Sequence, residues 1–344
     1  MTSYKKRIIL KAAGGIFGLV LIVLLLKKTD INQLLSQMRI INFNFFWVIG
    51  VTFISQLMGS LGWQYSLLEN IPFKKTASFY SIRLAGESLA QINPASFVAG
   101  DTLKAVLLKH INNINYKSGA MSLLLWRIMY ILSTGFLLVF SVIFIFNDLD
   151  YANLKTVSMA IAGFVLLLFI YIFHSLKYER GVFALFADAL NACLGRFKFV
   201  INAVKNLNEI DRDMVQFYHS KKKNFYSVFF LTILHRVIGS LEYYVILTVL
   251  GMNISIFTCI VFDTATLLFR SAGFFIPGQL GLEEFGNKLM FSIAGIPGNE
   301  TWLTVSVIRR ARQIFWILAG FFVYLVISGD FKDKIKVESE NFNH

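Results

Sequence analysis

Six stretches of this chain, near 8–26, 45–68, 119–146, 156–173, 225–250 and 302–327, are uncharged or nearly so. Each is long enough to cross the roughly 30 Å hydrocarbon core of a bilayer. Backbone N–H and C=O groups in hydrocarbon find no water, so runs of this kind are confined to helices that bond internally. The composition agrees: 56% of residues are hydrophobic and 15% charged, against about 25% charged in soluble domains. The chain therefore reads as an all-α polytopic membrane protein with about six transmembrane helices.

The basic start, Lys5, Lys6 and Arg7, precedes an apolar run ending in "LLLKKTD" without a small-x-small cleavage site, which predicts a retained anchor. Basic residues crowd the 175–223 segment, whereas "NDLDYAN" at 147–153 is acidic. By the positive-inside rule the first is cytoplasmic and the second external. Alternating the spans from an inside N-terminus then places both termini in the cytoplasm, with Lys27, Lys28 and Arg39 on the wrong side. The net charge of +13 sits in short loops and does not interleave with aromatics on a soluble face, which argues against a nucleic-acid partner. Apolar residues at helical spacing within 175–223, beside Arg196, Lys198 and Lys205, predict cytoplasmic helices that either face anionic headgroups or pack under the bundle.

Two apolar segments, roughly 76–110 and 254–296, remain once the spans are assigned. Each is broken near its middle, the first at "QINPASFVAGD" and the second at "FFIPGQLGLEEFG". Proline removes a backbone donor and glycine loosens the chain, so each segment predicts two half-helices around a bend. The charge scheme closes if both are re-entrant hairpins. Sliding the sequence on itself by 183 residues aligns Pro94 with Pro277, Asp101 with Glu284, Arg127 with Arg310 and, with opposite sign, Glu87 with Arg270. The single domain 1–344 then contains inverted units at about 45–146 and 225–327, a plan recurrent in secondary transporters.

Ionisable groups at membrane depth cost about 2.5 to 3.5 kcal/mol each at a helix centre, so they face partners or a cavity. Glu87, Asp101, Lys104, Arg127, Arg236, Glu242, Asp263, Arg270, Glu283, Glu284, Lys288, Arg309, Arg310 and Arg312 all fall there. The expected substrate-path residues are Glu87, Pro94, Asp101, Arg127, Arg270, Pro277, Gly278, Gly281, Glu283, Glu284, Arg309 and Arg310. Arginine forks suit phosphate oxygens, and these arginines can equally pair with Glu87, Asp101, Glu283 or Glu284. Glu283 and Glu284 are about 100° apart on a helix, so only one of them can cap it. Asp101 and Lys104 can pair at i, i+3. His235 beside Arg236 reads first as a helix contact, and "DRD" at 211–213 is too short to read as a metal site. Cys193 and Cys259 fall in different environments, so neither a disulfide nor a metal site is expected, and no cofactor or catalytic motif is found.

The stretches "INPASFVAGDTLKAVLL", "IPGQLGLEEFGNKLMFSIAGIP" and "VIRRARQIFWILAG" resemble the lysylphosphatidylglycerol synthase transmembrane region, or flippase-like, family across nearly the whole chain. Gln279 stands where that family usually has a second glycine, and Glu283-Glu284 where a basic-acidic pair is common. The resemblance implies a lipid-translocating bundle in a prokaryotic inner membrane. Its cargo would be an anionic phospholipid or a polyprenyl-phosphate-linked headgroup, its partners membrane lipids, and a homo-oligomer is allowed. Two-domain members carry an aminoacyl-transfer domain that this chain is expected to lack, so it is not expected to be an enzyme. The rival readings are a membrane-embedded lipid- or glycan-modifying enzyme and a non-transporting partner of an envelope-synthesis complex. Single cysteines at Ser96 and Gln279, in a background free of Cys193 and Cys259, should react with impermeant thiol reagents from opposite faces of the membrane. Labelling of both from one face contradicts the inverted arrangement.

Overall fold

The computed structural model describes residues 39, 41–92, 96–148, 152–184, 187–188, 191–192, 198–272, 281–296 and 301–341. Among them are ten α-helices and no strand, the all-helical class expected. They are α1 (Phe45–Tyr65), α2 (Thr76–Ile92), α3 (Ser96–Asn112), α4 (Tyr116–Asp148), α5 (Ala152–Lys177), α6 (Lys198–Ser220), α7 (Lys222–Val249), α8 (Ile256–Ala272), α9 (Leu282–Ile293) and α10 (Thr301–Asn341). Of the four prolines of the chain, Pro72 stands before α2, and Pro94, Pro277 and Pro297 lie outside the described residues. Proline in a helix interior deletes a bond and clashes with the preceding turn, which suits Pro72 to its place outside a helix.

Four helical stretches among the described residues are long and apolar enough to cross a membrane: Asn42–Tyr65, Tyr116–Ile143, Lys222–Val249 and Thr301–Ser328. α5 covers the expected run at 156–173, with Ala162–Lys177 as a shorter apolar helix, and the run at 8–26 lies outside the described residues. Four of the six expected spans are thus long apolar helices among the described residues. The two leftover segments hold α2 and α3, and α8 and α9; the expected breaks, at 93–95 and 273–280, lie outside the described residues. Phe164, Leu167 and Ile170 on α5, Phe230 on α7 and Phe322 on α10 are exposed. That apolar exterior suits hydrocarbon, not water.

The helices group into two compact units. The first comprises Met1–Phe53, Tyr80–Asn113 and Ser240–His344. Within it α10 crosses α2 at Gly320, where a β-carbon would collide with the Leu84 carbonyl oxygen and lie 2.8 Å from Ser88 Cβ. Nearby, Trp316 Nε1 donates to Thr52 Oγ1 at 2.9 Å, tying α10 to α1. α3, α8 and α9 belong to this unit, as does α2 from Tyr80 onward.

The second unit comprises Ile54–Phe79 and Ile114–Gly239. Trp63 Nε1 donates to Ser122 Oγ at 3.0 Å, and Ser66 Oγ to the Ser122 carbonyl at 2.8 Å, fastening α1 to α4. His235 Nδ1 lies 2.6 Å from the Ser55 carbonyl, and Ser55 Oγ donates to the His235 carbonyl at 2.7 Å. His235 is therefore the helix contact the sequence suggested. α6 buries Val200, Met214 and Phe217 and packs against α4 and α5, while Asn202, Lys205, Asn208, Glu209 and Arg212 point outward. These buried residues pack α6 within the second unit, whereas Ile201 on the same helix is exposed.

The "DRD" motif also finds a role here. Asp211 Oδ1 accepts the Val182 and Phe183 N–H groups at 2.7 and 2.9 Å, closing the turn after α5. Burial pushes this carboxyl above its ordinary value, opposed by those same backbone hydrogen bonds. Gly320→Ala should destabilise the protein by about 1–3 kcal/mol through overpacking. Gly163→Ala on α5, where nothing lies within 4 Å, should leave stability unchanged or raise it by up to about 1 kcal/mol. Thermal unfolding in detergent distinguishes the two.

Candidate functional site

Side chains spaced three, four and seven residues apart share one face of a helix. On α8 this places Asp263, Thr266 and Arg270 together; on α9, Glu283 and Asn287; on α10, Ser306, Arg309 or Arg310, and Gln313. α7 contributes the adjacent Glu242 and Tyr243. All belong to the first unit, and they converge around one guanidinium.

Arg309, only 3% exposed, donates from Nε to Glu283 Oε1 at 2.7 Å. Its Nη1 stands 3.4 Å from Glu242 Oε2 and its Nη2 3.5 Å from Asp263 Oδ1. The guanidinium carbon lies 4.2 Å from the centroid of the buried Tyr243 ring, within range of a cation–π contact. Two further arginines close the circuit. Arg312 Nε donates to Glu242 Oε1 at 2.8 Å, and Arg270 Nε is 3.8 Å from Glu283 Oε2. Below them runs a neutral chain in which Tyr243 Oη and Thr266 Oγ1 donate to Asn287 Oδ1, and Asn287 Nδ2 donates to Ser306 Oγ at 2.8 Å.

Glu284 does two things at once. Its Oε2 accepts the Gly281 N–H at 2.8 Å, capping α9, and its Oε1 accepts from Arg310 Nη2 at 2.6 Å. Gly281 precedes the helix at φ +86°, a left-handed conformation glycine adopts without strain. Arg310 Nη1 also donates to Gln313 Oε1 at 3.0 Å. Glu284 is thus both the capping glutamate and the partner of Arg310, while Glu283 meets Arg309 and Arg270. Arg270, Arg309, Arg310 and Arg312 meet Glu242, Asp263, Glu283 and Glu284, four charges of each sign.

The other broken pair carries a smaller cluster of the same kind. Arg83 pairs with Glu87 on α2, and Lys104 on α3 lies 3.3 Å from Asp101 and 4.0 Å from Glu87. The i, i+3 pairing expected of Asp101 and Lys104 is present. Arg127 is half-buried on α4 in the second unit. Pro94, Pro277 and Gly278 lie outside the described residues.

The self-alignment singles out Arg127 and Arg310, whereas Arg309 holds the centre, and neither Arg83 nor Tyr243 stands out from the sequence. Glu242, Asp263 and Arg312 were recognisable as charges at depth, and the near-contiguous "RRAR" was the available signal for a multi-carboxylate centre.

The chain matches the family model for the lysylphosphatidylglycerol synthase TM region over residues 9–320 of its 344. It belongs to that family. Comparison with curated proteins and with solved structures returned no match.

Removing a buried ion-pair member strands its partners, at about 3–5 kcal/mol. Arg309→Gln should therefore lower the unfolding free energy by about that much in detergent, because three carboxylates lose their shared cation. Arg312→Gln, at the edge of the cluster, should cost on the order of 1 kcal/mol.

Proposed function

We propose that this protein moves an anionic lipid headgroup between leaflets of a prokaryotic inner membrane. The broken helix pairs would enter the bilayer and return, and the charged clusters would line the path. The single observation that carries the reading is the circuit of four arginines and four carboxylates beside the break between α8 and α9, in a protein whose exterior is apolar. Charge at membrane depth is costly, and a passive anchor has no use for eight such groups in one place.

Arginine is suited to the task because its planar fork holds two phosphate oxygens and never deprotonates. The paired carboxylates keep each fork oriented and compensated when no headgroup is present, then yield it to a phosphate. Membership of a family whose name comes from a lipid synthase's membrane region supports a lipid as cargo. In this reading the chain transports and does not itself catalyse, and its partners are anionic phospholipids or polyprenyl phosphates.

The test uses purified protein in liposomes holding fluorescently tagged phosphatidylglycerol or polyprenyl phosphate, with dithionite quenching of the outer leaflet. The protein should speed loss of inner-leaflet fluorescence relative to protein-free vesicles. Arg127→Lys and Arg310→Lys, which keep the charge and lose the fork, should express normally and slow translocation by about tenfold or more, the weight of roughly 1.4 kcal/mol. No acceleration for either lipid class by the unaltered protein overturns the reading.

A further inference from the structure

The second unit carries a cavity of about 370 Å³ beside α6, apart from both charged clusters. That volume falls within the range of small-molecule sites, about 300–1,000 Å³. Ile201, Val204, Lys205, Asn208 and Arg212 line it, recurring at the three- and four-residue spacing of one helix face. Glu209, one turn after Lys205, and Asn191, from the stretch before α6, complete the lining.

The lining sorts by chemistry. Lys205 and Arg212 are its cations and Glu209 its anion, for a net charge of +1. All three are exposed, and none is held in an ion pair among the described residues. The arginines around α8–α10, by contrast, each already meet a carboxylate. A ligand of this cavity therefore displaces no ion pair.

Lys205 and Arg212 stand two turns apart, about 10 Å along the helix axis, with Asn208 on the turn between. Two long basic side chains so placed can converge on one phosphate, which accepts charge-assisted hydrogen bonds from both. The Asn191 and Asn208 amides both donate and accept, whereas the Glu209 carboxylate only accepts. That carboxylate repels a bare anion but rewards a ligand that brings a hydroxyl to it. Ile201, 50% exposed, and Val204 offer apolar surface to C–H groups.

We propose that this cavity binds a phosphate ester that carries hydroxyl groups, at a site separate from the lipid path. Lys205 and Arg212 hold the phosphate, and Glu209 accepts from a hydroxyl. The ester comes either from solution or from the glycerophosphate headgroup of a membrane lipid, since only Lys221 separates α6 from the candidate span at Lys222–Val249. The inference does not rest on the arginine circuit, whose residues belong to the first unit.

The experiment is calorimetric titration of the full chain, in phosphatidylcholine nanodiscs, with glycerol 3-phosphate, inorganic phosphate and glycerol. Glycerol 3-phosphate should bind about tenfold more tightly than inorganic phosphate, and glycerol alone should give no heat of binding. Lys205→Gln and Arg212→Gln should each weaken glycerol 3-phosphate about tenfold, with thermal unfolding unchanged because both side chains are exposed. Glu209→Gln should tighten inorganic phosphate and bring the two ligands within about twofold of each other. The double variant Arg270→Gln, Arg312→Gln should bind glycerol 3-phosphate as the unaltered protein does. Discs of phosphatidylglycerol and of phosphatidylserine, equal in charge, separate the two sources. Binding blocked by phosphatidylglycerol alone assigns the site to the lipid headgroup, and equal binding in both assigns it to a soluble ester.

Equal affinity for the two phosphates, or an equal response of both to Glu209→Gln, reduces the cavity to a basic patch and overturns the inference. So does glycerol 3-phosphate binding that survives Lys205→Gln and Arg212→Gln, or that is lost with Arg270 and Arg312. Absence of binding in phosphatidylcholine discs overturns it as well and leaves the reading of the arginine circuit untouched.

Discussion

A guanidinium enclosed by three carboxylates and an aromatic ring is the constraint on which the rest of this structure turns. Arg309 cannot shed its proton, and hydrocarbon cannot solvate it, so the surrounding helices must supply what water would have. Glu242 comes from α7, Asp263 from α8 and Glu283 from α9. Four helices are thereby fixed about one point in rotation and depth. The Asn287 chain to Tyr243, Thr266 and Ser306 repeats that fixation with neutral groups, which guards the register without adding charge.

The start of α9 serves the same demand, since Glu283 and Glu284 in its first turn reach Arg309 and Arg310 on α10. Gly281 supplies the left-handed residue there, and Glu284 satisfies its N–H. Capping and ion pairing are thus one arrangement, and Arg310 would lose its partner if the cap frayed.

Much of this was legible in the sequence. Apolar runs mark the helices, Pro72 marks the approach to α2, and a charge inside an apolar run advertises itself, as Glu283, Glu284, Arg270, Arg309 and Arg310 do. Which charge meets which was not legible. The 183-residue register pairs Arg127 with Arg310, yet the centre falls one residue earlier, and one residue is about 100° of helix rotation. Glu242 and Arg309 are 67 positions apart, so only the packing of α7 on α10 decides that they meet. Arg83 does not stand out because α2 carries polar residues along its length, so a cation there is no anomaly.

The central claim is that the partly exposed arginines beside this compensated core recognise a phosphate-bearing lipid. Native mass spectrometry of the protein released from its membrane tests it most directly. The account predicts retained lipids that carry a phosphate, and their loss from the double variant Arg270→Gln, Arg312→Gln while that variant still folds. Retention of the same lipids by both forms, or of neutral lipids alone, contradicts it.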